Sequence, residues 1–226
     1  RLRAARASAS SDSLERSCLR QGWQEVELPV AGLTRRLLWK APRGVWKNGA
    51  ILVMHGGGGQ GTDWLGTPDG RPGWASLLVD DGWAVYVVDR PGHGRSVADP
   101  AVFGPRTPRL PFEAAAGIFA GATPDGGHAP QWPGSGRPGD DEALEQLVAS
   151  SGSLHTDQAI SEAADAAACA SLLDRIGPAI LVTHSAGGPA GWLTADARPD
   201  RVAAIVAVEP AGPAFARIPE AGLDLR

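Results

Sequence analysis

Residues 180–188, I-L-V-T-H-S-A-G-G, constrain this chain more than any other stretch. An apolar run of strand length stops at Ser185, and only small residues follow it. A strand that turns this sharply into a helix needs small side chains around the apex, and it presents the apex residue clear of the backbone. Thr183-His184-Ser185-Ala186-Gly187 therefore reads as a nucleophile elbow, with Thr183 at a position where Gly is commoner. A lone Ser hydroxyl is a weak nucleophile, so it needs a base beside it and donors for the oxyanion that its attack creates. The backbone N–H of Ala186, which starts the following helix, offers one donor, and the helix dipole there favours negative charge. The plainer alternative is a helix start with Ser185 as its N-cap.

The segment His55-Gly56-Gly57-Gly58-Gly59-Gln60-Gly61 follows the apolar run Ala50–Met54. Glycines let backbone approach a ligand closely, and Gly57 is the candidate for the second oxyanion N–H. A phosphate cradle is the alternative, but neither G-K-[ST] nor G-x-G-x-x-G spacing is found in its usual place. His55 is expected to pin this loop by hydrogen bonding. A third landmark, Asp89-Arg90-Pro91-Gly92-His93-Gly94-Arg95-Ser96, reads as a tight turn held by Asp89 and Arg95.

Glu209 closes the apolar run 202–208 and precedes Pro210, 24 residues after Ser185. One helix and one strand separate them, which places both at the carboxyl edge of a parallel sheet, where sites gather. A carboxylate there can orient a histidine and stabilise its imidazolium. The alternative is an ordinary strand-end Glu. The base itself is missing from its expected place. The chain order for this arrangement is Ser, acid, His, yet none of the five histidines, at 55, 93, 128, 155 and 184, follows Glu209. Only 17 residues do. The expectation is an incomplete chain whose histidine lies beyond Arg226.

Around these motifs, strand-like and helix-like stretches alternate. Runs 23–30 and 33–40 read as an antiparallel pair; 50–54, 83–88, 180–183 and 202–208 read as buried strands. Helical patterns cover 73–81, 155–176 and 186–196. The implied class is α/β, a mostly parallel sheet with helices on both faces. Residues 97–150 interrupt the rhythm with Pro and Gly, a short apolar run at 114–120 and an acidic helical patch at 140–149. A long irregular stretch at this place suits a cap over a site. The domain is expected over 21–226, with the cap at 97–150.

Hydrophobic content of 43% over 226 residues suits one globular core. A net charge of -4 argues against nucleic acid as a partner, and no apolar run is long enough for a membrane span. Cys18 and Cys169 lack the spacing of a metal site, so no metal is expected, and Cys169 reads as a small buried apolar residue. Residues 1–20, with five Arg, five Ser and two acids, resemble a transit-type leader, but they read more simply as a poorly ordered terminal segment.

Taken together, these landmarks resemble α/β-hydrolases. Three stretches resemble one bacterial esterase branch: Thr183 through Trp192, Ala195-Asp196-Ala197-Arg198-Pro199-Asp200, and Ala207-Val208-Glu209-Pro210-x-Gly212-Pro213. In that branch the triad acid is a Glu after the sixth strand, and the oxyanion loop carries H-G-C-C where this chain has His55-Gly56-Gly57-Gly58. The difference removes any vicinal disulfide and leaves the Gly57 N–H. The resemblance implies Ser185 as nucleophile, Glu209 as acid, Gly57 and Ala186 as the oxyanion hole, a small-molecule ester as substrate and no cofactor. It also implies last strands missing from these 226 residues. The run 202–208 should then be an exposed apolar edge, and the fragment should be poorly soluble and inactive. Rival expectations are an amidase, a C–C hydrolase or a cofactor-free haloperoxidase on the same fold, or a non-catalytic binding protein.

Overall fold

The computed structural model describes residues 20–30, 33–42, 49–67, 70–96, 98–121, 132–212, 217–218 and 223–224. The expected terminal segment, apart from Arg20, lies outside them, as do Cys18 and His128. Strands β1 (Gln24–Val30) and β2 (Leu33–Lys40) form the expected antiparallel pair, with Val30 opposite Leu33. β3 (Ala50–Met54), β4 (Ala84–Val88), β5 (Ala179–His184) and β6 (Val202–Val208) follow. The sheet order is β1-β2-β4-β3-β5-β6. β3 runs parallel to β4 and β5, and β6 parallel to β5; β2 meets β4 antiparallel.

β3 is buried along its whole length, and strand alternation sends its side chains to two cores. Leu52 and Met54 join Leu37, Leu172, Leu173 and Leu181 on one face. Ile51 and Val53 join Leu38, Val79, Val85 and Val87 on the other. Each such side chain contributes roughly 1.5–3 kcal/mol by leaving water, which is why these runs form the centre. Helix α1 (Trp74–Asp80) covers the second face through Ala75 and Val79. The long α5 (Gln158–Ile176) covers the first through Cys169, Leu172 and Leu173. Cys169 is buried as expected, and burial pushes its thiol up, away from reactivity.

Between β4 and α5 the stretch 97–150 is more regular than its composition suggests. It holds α2 (Pro100–Phe103), α3 (Phe112–Ala115) running into a π-helical turn at Ala116–Ala120, and α4 (Glu142–Ser150). Asp99 and Asp141 cap the first and last of these, accepting from Ala101 and Leu144 N–H groups. The stretch is tied back to the segment before α5. Thr107 N–H donates to the Leu154 carbonyl at 2.8 Å, and Thr156 N–H to the Pro105 carbonyl at 3.2 Å.

After β5 comes a 3-10 turn, Ser185–Gly187, and only then α6 (Gly188–Ala197). The expected helix start at 186 is thus corrected by two residues, because Pro189 sits in the first turn, where its fixed φ favours a helix beginning. β6 lies at the edge of the sheet, with Val206 49% exposed. The short strands β7 (Arg217–Ile218) and β8 (Leu223–Asp224) pair with each other and not with β6.

Candidate active site

Ser185 has φ 47°, a left-handed conformation that costs a non-glycine residue on the order of 1–3 kcal/mol. Its side chain caps no helix, which removes the N-cap alternative. Glu209, at φ 40°, is the one other non-glycine residue with positive φ among the described residues. His184 and Val208 are register partners across β5 and β6. Ser185 and Glu209 are therefore the next residue on each of two neighbouring strands, and both bend the same way. The turns are joined: Ala211 N–H donates to the Ser185 carbonyl at 2.9 Å. Gly188 is packed so closely that a Cβ there would lie 2.6 Å from Pro210 Cβ.

The glycine loop lies against this turn. A Cβ at position 56 would meet His184 Nδ1 at 2.7 Å and Ser185 Cβ at 3.0 Å, so only glycine fits. A Cβ at 57 would stand 3.5 Å from Ala186 Cβ and 3.4 Å from Leu154 Cδ2. The structure therefore sets Gly56 against Ser185 and Gly57 against Ala186, with Leu154 as a neighbour that the sequence did not mark. Ala186 lies in the first turn, where N–H groups lack intrahelical acceptors.

His55 is buried, and its ring is fixed by two backbone groups. Arg90 N–H donates to Nε2 at 3.1 Å. The proton is then on Nδ1, which donates to the Gly56 carbonyl at 2.8 Å. Burial, with the Arg90 charge adding to it, lowers its pKa to about 3, so the ring stays neutral. This is the loop-pinning role expected of it. Arg90 is 1% exposed and pairs with Asp165 of α5 at 2.7 Å. Its Nη1 also makes a long 3.4 Å contact to the Gly56 carbonyl. At the far end of the loop Asp89 accepts from Gly61 N–H at 2.6 Å and from Arg95 N–H and Nε at 3.0 and 2.6 Å. The Asp89–Arg95 turn is thus held as expected, and it also anchors the loop.

His93 and His155 are buried, and both direct a ring nitrogen at the Pro91 carbonyl, at 2.9 and 3.0 Å. A carbonyl only accepts, so each donates from that nitrogen. Burial lowers the His93 pKa to about 3. Arg106 donates to the Gly92 and Ser153 carbonyls, joining the turn to the segment before α5. Among the described residues no histidine ring nitrogen is seen hydrogen-bonded to Ser185. No group of three or more His, Cys, Asp or Glu there is placed to hold a metal ion. No described helix is long and apolar enough to cross a membrane. A cleft of about 350 Å³ opens beside the loop, lined by Gly59, Gln60, His93, Arg106, Arg109 and Ser153 among others, and by no carboxylate of the described residues.

Residues 49–223 match a family model described as the alpha/beta hydrolase fold. The chain is 43% identical over 175 residues to a protein named probable secreted lipase phiG, from Fungal sp. (strain ATCC 74256). That match covers 73% of this chain and 46% of the lipase, so the chain spans about half the length of the curated relative. Among solved structures, a novel bacterial esterase superposes with a TM-score of 0.63 at 21% identity, covering 84% of this chain and 67% of that one. At that identity the likeness speaks for the fold.

Proposed function

The chain belongs to the α/β-hydrolase fold family, and from that premise we propose that the protein cleaves carboxylic esters through an acyl intermediate on Ser185. One observation carries the proposal: Ser185 is held at φ 47° at the end of β5, directly against Gly56, while the next residue, Ala186, stands against Gly57. Strain of this kind at a strand end presents a side chain to a ligand. In the proposed reaction Ser185 Oγ attacks the ester carbonyl, and the alkoxide that forms is met by the N–H groups of Gly57 and Ala186. Glu209, next in register, orients the histidine that takes the Ser185 proton, returns it to the leaving alcohol and later activates water. That histidine is proposed to lie outside these 226 residues.

The lipase and esterase names of the relatives support an ester as substrate. Fluorophosphonate labelling of the full-length protein tests the mechanism: the label must appear and must vanish in Ser185→Ala. Turnover of p-nitrophenyl acetate, set against amide and diketone substrates, separates an esterase from an amidase or a C–C hydrolase. The second reading, a hydrolase-like binding protein, draws on the lack of a described histidine at Ser185. A histidine some 50–90 residues after Glu209 in the full coding sequence, whose loss abolishes turnover, excludes it; a wild-type protein that takes no label supports it.

A further inference from the structure

We infer that the buried pair Arg90–Asp165 positions the oxyanion donor, acting through one peptide plane. The inference rests on the acyl-Ser185 reading above. The peptide between Gly56 and Gly57 is trans, as are all those described, so its C=O and N–H point in opposite directions. Its carbonyl is engaged from the core side, by His55 Nδ1 at 2.8 Å and by the longer contact of Arg90 Nη1 at 3.4 Å. The Gly57 N–H is thereby turned away from the buried network. Ser185 and Ala186 lie beside this peptide, Ser185 Cβ 3.0 Å from a Cβ built at 56 and Ala186 Cβ 3.5 Å from one built at 57. Engaging the carbonyl aims the donor.

Arg90 can hold that carbonyl because its own direction is set elsewhere. Its Nε donates to Asp165 Oδ2 at 2.7 Å, and its Nη2 reaches Ser161 Oγ at 3.5 Å, both on α5. Arg90 and Asp165 side chains are 2% and 0% exposed. The fork of a guanidinium allows one side chain to serve a carboxylate and a carbonyl at once, which a single ammonium nitrogen does less well. Arg90 N–H also fixes the His55 tautomer, so Arg90 acts on the Gly56 carbonyl by two routes. A glycine loop without such anchors would sample several peptide orientations, and a misplaced donor of about 1 Å is worth roughly 100-fold in rate.

A strut that only supports the core behaves differently from a positioning pair, and one double variant separates them. Replacing both partners of a buried ion pair by apolar residues of similar volume is often neutral for stability. Arg90→Met/Asp165→Leu in the full-length protein removes the Nη1 contact to the Gly56 carbonyl, leaves the His55 bond and the Arg90 backbone N–H in place, and keeps the packing. The expected result is a folded protein whose kcat falls about 10- to 100-fold with KM within a factor of about three. Affinity for a trifluoromethyl ketone, which mimics the oxyanion, should fall by the same factor as kcat. A folded double variant with wild-type kcat and wild-type ketone affinity overturns the inference. If the double variant does not fold, Arg90→Lys, which keeps a charge for Asp165 and gives up the separate Nη1, is read by the same two outcomes. The two claims fail separately. Absence of Ser185 labelling in the wild type removes the acyl-enzyme reading, whereas normal labelling with an unaffected variant removes the positioning role alone.

Discussion

The turns after β5 and β6 share a backbone conformation and differ in everything around it. Ser185 ends a strand flanked by β3 and β6, and its neighbours Gly187 and Gly188 are buried. Glu209 follows a strand at the sheet edge; it and the next two residues, Pro210 and Ala211, are exposed, and Val206 within the strand is half exposed. The same left-handed bend is thus held by packing in one case, and in the other by little beyond Pro210 against position 188 and the Ala211 N–H on the Ser185 carbonyl. The difference teaches that a strained residue inside a sheet can be set by its own strand. One at an edge borrows its geometry from its neighbour.

The strongest way to break the comparison is Ser185→Ala, which should reduce ester turnover by about 10⁴-fold or more and abolish phosphonate labelling. Glu209→Gln follows. If the edge residue serves as the acid, kcat in the full-length protein should fall on the order of 10³- to 10⁴-fold with labelling much slowed; wild-type turnover would reduce Glu209 to a strand-end carboxylate. Gly188→Val tests the coupling between the turns. Its side chain would collide with Pro210, and we expect about 1–3 kcal/mol of lost stability from overpacking, with kcat reduced even where the protein remains folded.

A pH series sharpens the buried side of the comparison. His55 and His93 are depressed to about 3 in the fold, from 6.5. Between those values the unfolded chain binds protons that the folded one refuses. Their contribution is therefore complete above about pH 6.5 and is lost as pH falls towards 3, by about 1.4 kcal/mol per pH unit for each ring. Urea denaturation at pH 7.0 and 5.0 should show it, with a shallower slope in His93→Gln. The smallest effect belongs to the exposed side. Val206→Lys should raise the soluble yield of the 226-residue chain without changing its melting temperature by more than a few degrees, since it blunts an apolar edge.

Much of the frame was legible because buried parallel strands announce themselves as unbroken apolar runs, and the β3, β4 and β5 runs are of that kind; β6 is as apolar, but it forms the sheet edge and has no buried residue, which corrects the expectation of a buried strand there. The Ser185 turn and the Asp89–Arg95 turn were legible through small residues at fixed spacing. The left-handed bends were not, since neither Ser nor Glu signals positive φ as glycine does. Within the 97–150 stretch the acidic helix was legible at 140–149, whereas the short helix after Asp99 was not, because Pro and Gly outweighed the signal of Asp99 before Pro100. The Arg90–Asp165 pair was hidden by distance, 75 residues along the chain. Asp165 stands within an Ala-rich run that reads as filler for a buried face, and a lone carboxylate on such a face was the clue to a buried cation elsewhere.

That ion pair also has a bearing on how such a protein can diversify. The 97–150 stretch leaves the core after the Arg90 turn and rejoins it before Asp165, so the whole excursion lies within a loop whose two ends are locked together. The entropy of closing a loop grows slowly, by about 0.6 kcal/mol for each doubling of length. Segments of other lengths and sequences can therefore be exchanged between these anchors while the glycine loop stays where it is. Evolution, or an engineer, can remake this excursion without retuning the glycine loop that the pair anchors.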